Sequence, residues 1–271
     1  MECAIQIKHV TKTFGAVAAN KDVTMDIYKG EILALLGENG SGKTTLLNMI
    51  AGIYYPDEGE ILVNGRPVEI RSPKDAYDLK IGMIHQHFKL VDVFTATENI
   101  ALGLESKEKF DLKQVRKRAE EICKKYHFEM DFDQKVYAMS VSQKQTLEII
   151  KALFRGADIL ILDEPTAVLT PQETEKLFHV IRNMKADGKS VVIITHKLHE
   201  VLAISDRVSI LRKGEYVGSV KTAEADEGLL TEMMVGQRVA LNIERPEPVN
   251  PVKRLEVRNI SVVSEEGVQG L

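Results

Sequence analysis

The sequence predicts an α/β fold with a three-layer αβα core, an antiparallel β subdomain and an α-helical subdomain. Three observations carry this reading. Ile32-Leu33-Ala34-Leu35-Leu36 is an unbroken apolar run of strand length, followed by the glycine-rich Gly37-Glu38-Asn39-Gly40-Ser41-Gly42-Lys43-Thr44 and then by the helical Thr45-Leu46-Leu47-Asn48-Met49-Ile50. Ile159-Leu160-Ile161-Leu162 and Val191-Val192-Ile193-Ile194 repeat the buried-strand pattern across a helix-length spacer, which makes a βαβ unit of a parallel sheet. Between about residues 92 and 151 the periodicity turns helical. With 271 residues, 44% of them hydrophobic, the chain has enough apolar material for such a core.

Taken in order, Ala4-Ile5-Gln6-Ile7 and Val23-Thr24-Met25-Asp26-Ile27 alternate as strands, and Glu60-Ile61-Leu62-Val63 leads into an Asn64-Gly65 hairpin turn. Together they predict an antiparallel flap beside the glycine-rich loop. In the helical region Leu112, Val115, Ala119, Ile122, Cys123 and Tyr126 recur at three- and four-residue steps behind an Asp111 cap. The Lys, Arg and Glu residues between them read as a solvated face, with a nucleic-acid patch as the alternative. Thr170 with Glu173 forms a capping box, and Pro171 suits the first helical position. Arg207-Val208-Ser209-Ile210-Leu211 and Tyr216-Val217-Gly218-Ser219-Val220 flank Lys213-Gly214 as a closing hairpin.

Leu255-Glu256-Val257-Arg258-Asn259-Ile260-Ser261 matches the chemistry of Ile5-Gln6-Ile7-Lys8-His9-Val10-Thr11 position for position, after the proline-rich Glu244–Pro251. The expected organisation is therefore one domain over 1–235, a linker over 236–253, and the first strand of a second copy over 254–271.

Composition narrows the partners. A net charge of −4 gives no general basic field, which argues against nucleic acid. Cys3 and Cys123 belong to no CxxC or Cys/His cluster, so they read as reduced thiols of a cytosolic protein. No run of about 18 apolar residues is present, and the N-terminus lacks a secretory pattern, so any membrane role is expected to come through a partner.

The chemistry is concentrated at strand ends. Two glycines with four residues between them, Gly37 and Gly42, followed by lysine and a hydroxyl residue, form a phosphate cradle: backbone N–H groups turn inward, Lys43 adds positive charge, and the Thr44 hydroxyl can ligate magnesium. The following helix directs its positive end at the same anion. Asp163-Glu164 closes the strand ending at Leu162, where a carboxylate faces the ligand crevice of a parallel sheet. Asp163 is placed to hold magnesium and its water shell, and Glu164 to polarise an attacking water. Thr195-His196 ends the next strand and supplies a γ-phosphate contact. His85 and His87 alternate without a third ligand and read as spacers, not metal ligands.

At these residues the chain resembles the ATP-binding-cassette (ABC) ATPases, a branch of the P-loop NTPases, over nearly all of residues 1–235. The resemblance implies ATP and Mg²⁺ as ligands. It implies nucleotide contacts from Gly37 to Thr45, with Thr45 following the cradle, and stacking of adenine on Phe14 within Lys12-Thr13-Phe14-Gly15. It assigns magnesium to Thr44, Gln86 and Asp163, and catalysis to Glu164 and His196. Met139-Ser140-Val141-Ser142-Gln143 stands where the family has its Leu-Ser-Gly-Gly-Gln signature, so Ser140 and Gln143 are implied to reach a nucleotide held by an opposite cassette.

Gly82-Met83-Ile84-His85-Gln86-His87-Phe88 and Thr166-Ala167-Val168-Leu169-Thr170-Pro171-Gln172-Glu173 are most similar to importers of simple sugars and nucleosides, nearest the nucleoside branch, whose ATPase carries two cassettes in one chain. Implied partners are a second cassette in the same full-length chain or a dimer mate, integral membrane permease subunits and, indirectly, an extracytoplasmic solute-binding protein, with no nucleic acid. The implied location is peripheral, at the cytoplasmic face of the cell membrane. The departures are Val141 and Ser142 in place of the signature glycines, Thr146 where arginine is common, and Thr170 in place of an aspartate. They predict a weakened signature beside an intact phosphate loop. The rival readings are a non-transport ABC ATPase of DNA repair or translation, and a cassette that binds nucleotide without turnover.

Overall fold

The computed structural model describes residues 2–102, 104, 111–237, 256, 258, 262, 263, 269 and 270. The chain divides into two units, Met1–Val239 and Ala240–Leu271. In the second, Val262–Val263 pairs antiparallel with Gln269–Gly270. The 254–261 repeat and the proline-rich segment lie almost wholly outside the described residues.

The first unit opens with two long strands, β1 (Cys3–Phe14) and β2 (Val17–Tyr28), and later adds β4 (Glu58–Val63) and β5 (Arg66–Val68) to them, in the order β2-β1-β4-β5. All three pairings are antiparallel. The strands expected around residues 4–7 and 23–27 are the inner parts of much longer ones, because the β1–β2 hairpin extends to a turn at Gly15 that the alternation did not mark. The Asn64-Gly65 turn has positive φ at both residues, 51° and 76°, as a two-residue hairpin needs.

The main sheet has the order β10-β9-β3-β8-β7-β6, with β3 (Ile32–Leu36), β6 (Ile81–Ile84), β7 (Ile159–Asp163), β8 (Ser190–Ile194), β9 (Arg207–Arg212) and β10 (Glu215–Lys221). All its pairings are parallel except the β9–β10 hairpin. The apolar runs are continuous because both faces are covered. Leu33, Leu35, Ile161, Val192 and Ile194 pack towards the antiparallel sheet and α1 (Lys43–Ile50). Their neighbours Leu160, Leu162, Val191 and Ile193 pack against Phe178, Ile181 and Met184 of α6 (Pro171–Ala186).

The helical part contains α3 (Ala96–Ala101), α4 (Leu112–Tyr126) and α5 (Val141–Phe154), between β6 and β7. Asp111 caps α4, and Val115, Ala119, Cys123 and Tyr126 are buried as their spacing requires. Leu112 is the exception: it begins the helix on the solvent side and is exposed. Residues 127–140 are mostly irregular chain, not continuous helix. Three further helices complete the unit: α2 (Pro73–Asp78), α7 (Leu198–Ile204) and α8 (Glu227–Val235). Among the described residues no helix is long and apolar enough to cross a membrane.

Candidate functional site

Parallel pairing brings the C-terminal ends of β3, β8, β7 and β6 to one edge. Leu35 lies opposite Ile194, Ile194 opposite Asp163, and Leu162 opposite Ile84. Each strand delivers its chemistry there: the Gly37–Gly42 loop after β3, His196 after β8, Asp163-Glu164 on and after β7, and Gln86 two residues beyond β6.

The glycine-rich loop is closely packed from behind. A Cβ on Gly37 would stand 2.2 Å from the Leu211 carbonyl oxygen, and one on Gly42 2.2 Å from that of Ala19. Gly42 also holds φ at 95° as the N-cap of α1. Fully buried Asn20 donates to the Gly42 carbonyl, and the Gly214 amide donates to the Ser41 carbonyl. Lys43 is 93% withdrawn from solvent, and its ammonium donates to the Gly37 carbonyl at 2.8 Å and the Glu38 carbonyl at 2.9 Å. Burial depresses its pKa, against the carboxylates of Glu164 and Asp163, which favour the charged form.

Asp163 is the buried carboxylate of the site. Its pKa is raised chiefly by burial and then by the neighbouring Glu164, against Lys43 and a hydrogen bond from the Thr44 hydroxyl. Glu164 is a non-glycine residue of the edge with a left-handed backbone, φ 48°, held by its amide donating to the Ile194 carbonyl at 2.9 Å. This conformation turns the chain away from β7. The Glu164 carboxylate Oε1 lies 2.9 Å from Nδ1 of His196, half exposed at the end of β8.

A buried network that the sequence did not reveal joins the segments behind this pair. Glu200, 5% exposed, accepts from the Thr166 hydroxyl at 2.5 Å, the Lys197 ammonium at 3.0 Å and the Thr195 hydroxyl at 3.5 Å. Lys197 also donates to the Thr166 carbonyl. The chain after Glu164 and the chain around His196 are thus tied to one carboxylate. Asn20 is likewise legible only from the fold.

Phe14 ends β1 and is 45% exposed, with Tyr54 edge-on at 5.1 Å between ring centroids. Tyr54 was not among the expected residues. Lys12 and Thr13 both bond Asp57, which fixes the end of this strand. Gln86 is exposed. Ser140 and Gln143 form the reciprocal cap of α5, and Gln143 also reaches Gln134. No described hydrogen bond joins them to the phosphate loop. The Ser142 hydroxyl helps to lower the pKa of Glu173, in the first turn of α6, after the Thr170 amide and hydroxyl. The structure therefore brings together Lys43, Thr44, Asp163, Glu164 and His196, and keeps the signature residues on a separate helix end.

The family model described as ABC transporter matches residues 20–167. The nucleoside import ATP-binding protein NupA of Lactococcus lactis subsp. cremoris is 44% identical over 275 residues, covering 100% of this chain and 54% of the relative. The ribose import ATP-binding protein RbsA of Hahella chejuensis is 41% identical, covering 92% of this chain and 50% of the relative. The chain spans about half the length of the curated relatives it matches. Among solved structures, a dimeric ATP-binding cassette in a post-hydrolysis state bound to ADP and Pi superposes with a TM-score of 0.70 at 30% identity, covering 80% of this chain and 98% of that one. With the family model spanning more than half of its residues, the chain belongs to the ABC transporter family.

Proposed function

We propose that the chain is the ATP-binding and hydrolysing cassette of an importer for nucleosides or simple sugars. The observation that carries the reading is the Glu164–His196 pair, 2.9 Å apart, at the edge that also holds Lys43 and Asp163. The loop amides of Gly37–Thr45 and the Lys43 ammonium bind the β- and γ-phosphates, and the exposed Phe14 ring stacks on adenine. Glu164 accepts a proton from a water whose oxygen bonds the γ-phosphorus as the bond to the β–γ bridging oxygen breaks, releasing ADP and phosphate. His196 orients Glu164 and steadies the transferring phosphoryl group.

The residues present fit Mg²⁺. The Thr44 hydroxyl, the Asp163 carboxylate and the Gln86 amide oxygen are hard oxygen donors with a single carboxylate among them, as suits a magnesium ion shared with phosphates. When bound, the ion neutralises charge on the phosphate oxygens.

Ser140 and Gln143 are assigned to the nucleotide of an opposite cassette, in the same full-length chain or in a dimer mate. Val141 and Ser142, in place of the signature glycines, weaken that contribution, so this chain supplies the catalytic half of the better site. Residues 1–235 form the cassette, 236–253 a linker, and 254–271 the start of a second cassette. The remaining partners are membrane permease subunits, contacted around Gln86 and the helical part at the cytoplasmic face, and an extracytoplasmic solute-binding protein. The names of NupA and RbsA support the choice of cargo class.

The test is uptake of labelled guanosine and ribose into vesicles carrying the full-length protein with its membrane subunits. ATP-dependent uptake of either solute is expected. Absence of uptake, with salt-sensitive binding of DNA or RNA instead, would assign the chain to the non-transport ABC ATPases.

A further inference from the structure

One face of α5 and one face of α6 diverge into a cleft of about 580 Å³, a size within the range of small-molecule sites. Ser142, Gln145, Thr146 and Ile149 line it at three- and four-residue steps from α5; Glu173, Lys176, Leu177 and Val180 do the same from α6. None of its lining residues belongs to the Gly37–Thr45 loop, to the Glu164–His196 pair or to the base-side residues Phe14 and Tyr54, and Gln143 is the lining residue it shares with those assigned to an opposite cassette's nucleotide.

Gln145 makes this cleft more than a gap between helices. It is 95% withdrawn from solvent, and among the described residues its carboxamide makes no hydrogen bond. Its amide atoms keep contact with the open cleft and can pair with a group that enters it. Thr146 stands beside it where the family commonly has arginine; its short side chain turns back on the helix, the hydroxyl donating to the Ser142 carbonyl at 3.0 Å. An arginine there would extend into the space that Thr146 leaves free.

The surroundings define the ligand. Ile149, Leu169, Leu177, Val180 and Phe128 present apolar walls suited to a flat body. The fixed charges at the rim are Glu129, Glu173 and Glu175 against Lys176, which disfavours a phosphorylated ligand. A carboxamide offers one donor and one acceptor side by side and pairs with a planar edge of complementary pattern, as glutamine does with a nucleobase. We propose that the α5–α6 cleft is a second ligand site, distinct from the Gly37–Thr45 nucleotide site of this chain, that takes an uncharged nucleobase or nucleoside through Gln145. It stands independently of the transport reading, since occupancy of this cleft does not depend on what the assembly imports.

The test is calorimetric titration of the chain with inosine, 1-methylinosine and ribose, with and without saturating ADP. Inosine should bind saturably and unchanged by ADP, 1-methylinosine at least about tenfold more weakly because its edge has lost the N–H donor, and ribose not at all. Gln145→Leu should weaken inosine by at least about tenfold, and Thr146→Arg should abolish it by filling the cleft. Both variants are checked for an unchanged circular dichroism spectrum, so that Thr146→Arg decides the matter if Gln145→Leu misfolds. No saturable inosine binding, displacement of inosine by ADP, or binding indifferent to the folded variants would overturn the proposal.

Discussion

Replacing Glu200 with alanine should destabilise the first unit and loosen the catalytic edge together. The substitution removes the acceptor shared by the Thr166 hydroxyl, the Lys197 ammonium and the Thr195 hydroxyl, leaving Thr166 buried at 2% exposure. Removing one partner of a fully buried charged pair costs about 3–5 kcal/mol. Lys197 keeps its bond to the Thr166 carbonyl and its side chain is 30% exposed, so the expectation here is lower, about 2–3 kcal/mol. Glu200→Gln preserves shape and one acceptor and should cost about 1 kcal/mol. Urea unfolding followed by circular dichroism reads both as shifts in midpoint at constant slope. An alanine variant within about 0.5 kcal/mol of wild type would refute the idea that this carboxylate holds the two segments, since that is the scatter of ordinary surface substitutions.

Gly42→Ala forces a side chain into left-handed backbone and to 2.2 Å from the Ala19 carbonyl, so ATP binding should weaken by more than about tenfold. Gly40→Ala, at φ 80° but with no atom within 4 Å, should be milder in the same fluorescence titration, and equal losses would contradict the steric account. Asp57 is held down to about 2 from its usual 3.8, first by the Lys12 ammonium and then by the Thr13 amide and hydroxyl. Its folded pKa lies below the unfolded one, so its contribution is complete above about pH 4 and is lost as pH falls through 2. The stability gap between wild type and Asp57→Asn should therefore shrink with acidification; a constant gap would exclude the pairing as its source. Burial pushes the Cys123 thiol up to about 12, so native protein should leave it unalkylated by iodoacetamide at pH 8 while urea exposes it, as mass spectrometry of the peptides can show.

The strand runs were legible because a parallel sheet covered on both faces leaves no polar positions in its centre: Leu33 and Ala34 pack on opposite sides, and both are apolar. The phosphate loop, Asp163-Glu164 and His196 were legible because their spacing from those runs fixes them at strand ends. Leu112 broke the helical stripe because the first residue of a helix has no preceding turn to cover it. Asn20, Tyr54 and the Glu200 network were not legible, since their roles arise from approaches between segments distant in sequence. Ser140 and Gln143 were identified by position, yet only the structure shows them tied into the cap of α5. Gln145 was not singled out because a lone glutamine near a helix start reads as solvated until its face is seen to be buried.

The central claim is that Glu164 is the group that activates water while Lys43 and the loop hold the nucleotide. Steady-state ATP hydrolysis by the full-length protein assembled with its membrane subunits, compared with Glu164→Gln, tests it most directly. The account predicts a fall of at least about a hundredfold in turnover with ATP affinity retained, the range expected for loss of a general base. Turnover unchanged by Glu164→Gln would contradict it.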